Sequence, residues 1–284
     1  MKIITRDRTL NLDDKVHVMG IVNITPDSFS DGGKVSDEDT MLAIVDHMVA
    51  SGADIIDIGG ESTRPFAPTV PLQEELDRVI PAITAIKKRH QIPISIDTTK
   101  AAVARRAIEA GADIINDISA LRHDPAMVSV AVEHQVPVII MHMQGTPRNM
   151  QLNPTYDDVV AEICAALAER IQWAERQGVS RANIIIDPGI GFGKTVSHNL
   201  TILRELSRFT KLGCPVLIGH SRKSFIGTIL AIDDPGRRDE ATAVISALCV
   251  RNGASIIRVH DVARTVAAVK LTRAICKGYA EGNG

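Results

Sequence analysis

The chain has 284 residues, 45 % hydrophobic and 23 % charged, with a formal net charge of -2, proportions that fit a globular protein with a large core. That near-neutral balance excludes strong electrostatic capture by nucleic acid or an anionic membrane, and an aromatic content of 3 % argues against base stacking. Cys164, Cys214, Cys249 and Cys276 form neither a CxxC pair nor a zinc-ligand spacing with histidine; with no apolar signal core at the N-terminus and no run near the ~18 apolar residues of a membrane span, a cytoplasmic, soluble protein is expected.

The first β-rich run, VHVMGIV, ends at Asn23 and leads into NITPDSFSDGG instead of a short turn. Helical spacing follows over 38–51. The second run opens as Gly52-Ala-Asp-Ile-Ile56 and ends at Asp57, before GGESTRP and a helical pattern over 72–90. The third enters through Pro93 and ends at Asp97 in IDTTK, with a helix over 99–110. The fourth, Gly111-Ala-Asp-Ile-Ile115, carries Asn116 and Asp117, with a helix over 124–134. The fifth enters through Pro137 and ends at His142, with a helix over 157–178. The sixth, Ala182-Asn-Ile-Ile-Ile186, ends at Asp187 in DPGIGFGK, with a helix over 198–211. The seventh enters through Pro215 and runs into His220-Ser-Arg-Lys-Ser224, with a helix over 238–252. The eighth, Gly253-Ala-Ser-Ile-Ile257, carries Arg258 and His260 on one side, before a helix over 262–277. Gly52, Gly111, Gly178 and Gly253 stand just past helix ends, where a left-handed residue is wanted.

Eight alternations of apolar strand and amphipathic helix predict an α/β chain with buried parallel strands, either an open doubly wound sheet or, as the evenness favours, a closed (β/α)8 TIM barrel occupying 1–284 as one domain. In a barrel the site lies at the carboxyl ends of the strands, so the polar residues there become candidates. Asp97, Asn116 and Asp187 suit a planar ring rich in N–H donors. Arg64, Lys223, Arg258 and His260 suit phosphates. Asn23 offers a hard oxygen to Mg2+, and Phe192 a cover for a flat ligand. Asp57 and Asp117 fit either the site or the cap of a neighbouring helix, and His220 reads as a packed histidine. GIGFGKT is no P-loop, because Pro188 occupies the first glycine position, and Lys194 stands where a dinucleotide fingerprint needs glycine.

Taken together, NITPDSFSDGG, GGESTRP, IDTTK, NDIS, DPGIGFGK, SRKSFIG and RVHDV resemble, in order and position, the dihydropteroate synthase family over nearly the whole chain. Corrinoid-dependent methyltransferase domains share the acidic pterin pocket, without the SRK and RVH combination. The resemblance implies condensation of 6-hydroxymethyl-7,8-dihydropterin diphosphate with 4-aminobenzoate, with Mg2+, in a homodimer. It implies that Asp97, Asn116, Asp187 and Lys223 hold the pterin and that Arg258 lies over its ring. His260, Thr63 and Asn23 would lie near the diphosphate, and Phe29, Arg64, Pro65, Lys223 and Ser224 would build the aminobenzoate site, where sulfonamides compete. The two long loops, about 24–36 and 60–71, are expected to close over the site, with Gly32-Gly33 as a hinge.

Overall fold

The computed structural model describes residues 1–6, 8–24, 34–62 and 69–278, without the side chains of 34–37 and 277. Among the described residues, eight parallel strands form one sheet: β3 (His17–Asn23), β4 (Ile55–Gly59), β5 (Ile94–Asp97), β6 (Ile114–Asp117), β7 (Val138–Met141), β8 (Ile184–Asp187), β9 (Leu217–Ile218) and β10 (Ile256–Val259). Their spatial order is β8-β7-β6-β5-β4-β3-β10-β9. A parallel bridge between Ile186 and Val216 joins the two ends, with Ile186 N–H donating to the Pro215 carbonyl at 2.9 Å. The ring closes, so the open-sheet alternative falls and the (β/α)8 barrel stands.

The intervening helices are α1 (Lys34–Ala50), α2 (Leu72–Arg89), α3 (Ala101–Glu109), α4 (Met127–His134), α5 (Val159–Arg176), α6 (Val196–Arg204), α7 (Ser207–Thr210), α8 (Ser224–Leu230), α9 (Asp239–Arg251) and α10 (Val262–Lys277). The four expected helix-end glycines have φ between 97° and 118°. Two helical segments differ from the sequence expectation. The single helix over 198–211 is two, α6 and α7, because the apolar stripe Ile202, Leu206, Phe209 stays fully buried across the break and periodicity cannot register it. The short α8 has no counterpart among the expected helices, its pattern interrupted by Gly227. A Cβ there would lie 2.5 Å from the Ile232 carbonyl oxygen, so only glycine lets the chain return so closely.

A hairpin not foreseen, β1 (Lys2–Ile4) paired with β2 (Thr9–Asn11), precedes the barrel. Its buried Ile3 and Leu10 pack with Met19, Ile55, Ile114, Ile139, Ile185, Leu217 and Ile256. These residues form the apolar floor of the barrel interior, and the hairpin plugs it. The alternate positions, among them Val18, Ile56, Ile94, Ile115, Ile140 and Ile257, belong to the larger core between sheet and helices.

Candidate active site at the barrel mouth

Strand periodicity of two fixes which side chains enter the barrel above that floor. Two residues beyond Ile55 stands Asp57; beyond Ile114, Asn116; beyond Ile139, Met141; beyond Ile185, Asp187; beyond Leu217, Gly219; and beyond Ile256, Arg258. Register pairs Asp57 with Ser95, Asp97 with Asn116 and Met141 with Asp187. The interior therefore changes within one layer from apolar to charged. By the same parity Asp117 shares the outward face of Ile115. Its carboxylate accepts N–H bonds from Ser119 at 2.7 Å and Leu121 at 3.0 Å, which makes it a turn cap.

Arg258 is the hub. Its Nε donates to Asp57 Oδ2 at 2.6 Å and its Nη2 to Asp97 Oδ2 at 2.7 Å. Asn116 Nδ2 also reaches the Asp57 carboxylate, at 3.3 and 3.4 Å. A Cβ placed on Gly59 would lie 3.6 Å from both Asn23 Oδ1 and Asp97 Cβ, and one on Gly219 would lie 3.8 Å from Asp187 Oδ2 and 3.9 Å from Arg258 Cδ. Two glycines thus mark where the polar groups of separate strands approach one another. Lys223 N-caps α8 and extends inward. Its Nζ sits 4.0 Å above the centre of the Phe192 ring, a cation–π contact. His260 Nδ1 lies 2.9 Å from Ser221 Oγ, which in turn accepts the His260 N–H at 3.2 Å. Ser224 is exposed at the start of α8.

Burial dominates the acid–base character of this mouth. It raises Asp97 to about 7, with Arg258 opposing and Asp57 adding to the rise. It raises Asp187 to about 6, against the Gly189 N–H bond and the Lys223 charge. It lowers Lys223 to about 8, with Arg258 adding and Asp187 opposing. Arg258 is pushed upward despite burial, because Asp57 and Asp97 flank it.

The structure thus gathers Asn23, Asp97, Asn116, Asp187, Phe192, Lys223, Arg258 and His260 at one end of the barrel. Thr63, Phe29, Arg64 and Pro65 lie outside the described residues, as do most of the two long loops. His220 is fully buried, with Nε2 against the Thr242 carbonyl at 2.9 Å and Ser246 Oγ at 3.1 Å; it is the packed histidine the sequence suggested. Sequence reasoning left Asp57 unresolved, although counting two from Ile55 points it inward. It passed over Ile118 and Met141, which pack with Phe192 as an apolar cluster and carry no polar signal. His142 does not join the mouth as an acid or base. Burial and the neighbouring Lys194 push it down to about 3, and Lys194 Nζ sits against its Nδ1 at 3.2 Å and against the Phe192 carbonyl at 2.8 Å. A cavity of about 630 Å³ reaches from Asp97, Ile118 and Met141 outward beneath Arg122, His123 and Arg148.

Among the described residues no group of three His, Cys, Asp or Glu side chains has the spacing to hold a metal ion. The Asn23 amide oxygen stands at the mouth beside Gly59. That donor set fits a cation that arrives with a phosphate and needs few protein ligands.

A closed barrel with a flat-ring pocket walled by carboxylates and apolar side chains, beside a cationic cluster, has known counterparts. The family described as pterin binding enzyme matches residues 19–260. The dihydropteroate synthase of Synechocystis sp. is 47 % identical over 92 % of this chain and 90 % of its own length. The structure of the Yersinia pestis dihydropteroate synthase with a sulfonamide drug superposes with a TM-score of 0.92 at 42 % identity, covering 98 % of this chain and 100 % of that one. The Xanthomonas albilineans dihydropteroate synthase with 4-aminobenzoic acid gives 0.91 at 44 % identity, over 97 % and 98 %. The chain belongs to the pterin-binding enzymes and, within them, to the dihydropteroate synthases, transferases of folate biosynthesis.

Proposed function

We propose that the barrel mouth carries out dihydropteroate synthesis by an S_N1-like route, releasing pyrophosphate from 6-hydroxymethyl-7,8-dihydropterin diphosphate before 4-aminobenzoate attacks. The observation that carries this reading is the Asp57–Arg258–Asp97 bridge beside Asp187 and Lys223. It supplies anionic acceptors for the ring N–H groups and, adjoining them, cations for the diphosphate. Asp97, Asn116, Asp187 and Lys223 hold the pterin, Phe192 covers it, and Arg258 lies over its ring. Asn23, Thr63 and His260 take the diphosphate. Arg64, Pro65, Phe29, Lys223 and Ser224 take the aminobenzoate.

The carbon–oxygen bond to the diphosphate breaks with its electron pair leaving on pyrophosphate. Lys223, Arg258 and His260 stabilise the growing negative charge. The methylene left behind is a cation delocalised into the ring, and the Asp97 carboxylate stabilises it from the N–H side. The aniline nitrogen then donates its lone pair to that carbon and passes its proton to the released pyrophosphate. No strong base is required, which matches a mouth where His142 is held by Lys194, His220 is packed and His260 is bonded to Ser221. Mg2+, held through Asn23 and the diphosphate, would supply further neutralisation of the leaving group.

Pyrophosphate release from the pterin diphosphate, measured with and without 4-aminobenzoate, tests the activity; equal release in both arms ends the reading. Bridge-labelled [18O] diphosphate tests the route. Scrambling of label from the ester oxygen into non-bridging positions without aminobenzoate is expected, and a label that stays in place counts against reversible ionisation to a pyrophosphate free to turn in the site.

The same reading treats 1–284 as one domain, in the cytoplasm, where the four free thiols stay reduced. It also makes the protein a homodimer. Val244, Leu248, Leu271 and Ile275 are exposed on the packed pair α9 and α10, Ile275 to 75 %, and a second copy would cover them. Sedimentation should give twice the chain mass, and Leu271→Glu with Ile275→Glu should return it to one. Among the described residues, no helix is long and apolar enough to cross a membrane.

A further inference from the structure

We propose that Arg170, on the outer helix α5, is a positioning residue for the pterin pocket. It holds the turn after β6 in the strained conformation that sets Ile118 against the ring; this rests on the pocket reading above. Ala120 and Leu121 are consecutive non-glycine residues with φ of 54° and 62°. Each pays a conformational cost in the left-handed region and persists only where its surroundings over-determine it. Two buried charges do so from opposite sides. Asp117 takes the turn's N–H groups, from Ser119 at 2.7 Å and Leu121 at 3.0 Å. Arg170 takes its carbonyls, donating from Nε to Ala120 at 3.0 Å and from Nη2 to Leu121 at 3.4 Å. Both carbonyls belong to buried residues, so without Arg170 they would lack a donor.

The guanidinium carbon itself lies 4.0 Å from the centre of the Trp173 ring, one helical turn on. Among the described residues Arg170 donates only to these two backbone carbonyls, neither of which would touch substrate. What it controls is the strip between Asn116 and Arg122. Ile118 in that strip packs with Met141 and Phe192, and Ile118, Ser119 and Arg122 line the cavity that also contains Asp97. If the turn relaxes, the apolar wall moves relative to the carboxylates, and ring capture suffers before chemistry does.

Arg170→Met should fold. It should raise KM for the pterin diphosphate about tenfold while leaving kcat and the aminobenzoate KM within about twofold, because binding geometry is lost and the reacting groups are not. Adding Ala120→Gly, which makes the left-handed position free of strain, should recover most of the loss. If Arg170→Met does not fold, Arg170→Lys, which keeps the charge without the planar fork, takes its place with the same expectation. An unchanged pterin KM in the folded variant overturns the proposal. So does a loss confined to kcat, or one that glycine does not relieve. Calorimetric titration of the unaltered protein with pterin diphosphate separates the two readings: no binding overturns the pocket and this inference together, whereas binding with an unchanged variant KM overturns the inference alone.

Discussion

At the scale of single residues, the site sets its ionisation by burial more than by pairing. Asp97 and Asp187, near 7 and 6, are partly protonated in mildly acidic solution, and Lys223, near 8, begins to lose its charge just above neutrality. Ring capture needs the carboxylates and diphosphate capture needs the ammonium, so kcat/KM should be bell-shaped, falling below about pH 6–7 and above about pH 8. Asp97→Asn should lower the plateau and flatten the acid limb, and Lys223→Met should do the same to the basic limb; a profile unchanged in shape would remove these groups from the mechanism. The same shifts have a stability consequence. A carboxylate whose folded pKa lies above its unfolded value holds its proton more tightly when folded. Its contribution is therefore complete below about pH 4 and is lost as pH rises through about 6. Asp187→Asn should stabilise the fold at pH 8 by on the order of 2 kcal/mol and by little at pH 4, while weakening pterin binding. Urea denaturation at the two pH values measures it.

Among the elements, the loops that follow the strands carry the strain and the function. The turn after β8 is the clearest case. Gly189 has φ of 71°, and a Cβ there would lie 2.0 Å from the His142 carbonyl oxygen. Gly189→Ala forces backbone apart between β7 and β8, and should cost more than about 2 kcal/mol with loss of activity. Thermal melting of the purified variant checks it. A similar close approach at Gly227 explains why α8 was illegible, since a glycine inside a two-turn helix reads as a loop. Arg222, with φ of 59°, is fixed by two 2.7 Å bonds to Asp239 and by Arg238 donating to its carbonyl at 2.9 Å. Nothing in the local pattern SRKS foretells that Arg238 and Asp239, at the start of α9, fix the residue before Lys223.

For the whole molecule, the barrel separates stability from chemistry along its axis. The lower interior is apolar and sealed by the β1–β2 hairpin, which leaves the upper layer free to hold charges that would be intolerable in a fully apolar core without partners. Ile3 is wholly buried in that floor. Ile3→Ala should cost about 2–4 kcal/mol by leaving a cavity, yet leave KM for both substrates unchanged in the folded fraction; a changed KM would mean that floor and mouth are coupled.

Read by itself, the chain already specified the eight strand–helix units, the helix-end glycines and the polar residue closing each strand, because these follow from local periodicity and backbone preference within a dozen residues. What it could not specify depends on contacts across the ring. Asp57 became part of the site, and Asp117 a cap, only once Ile55 and Ile115 were known to lie on opposite sides of the sheet. Arg258 reaches Asp57 and Asp97 across 201 and 161 residues of sequence. Pairs so distant leave no periodic trace, and closure of the barrel is what brings their charges together.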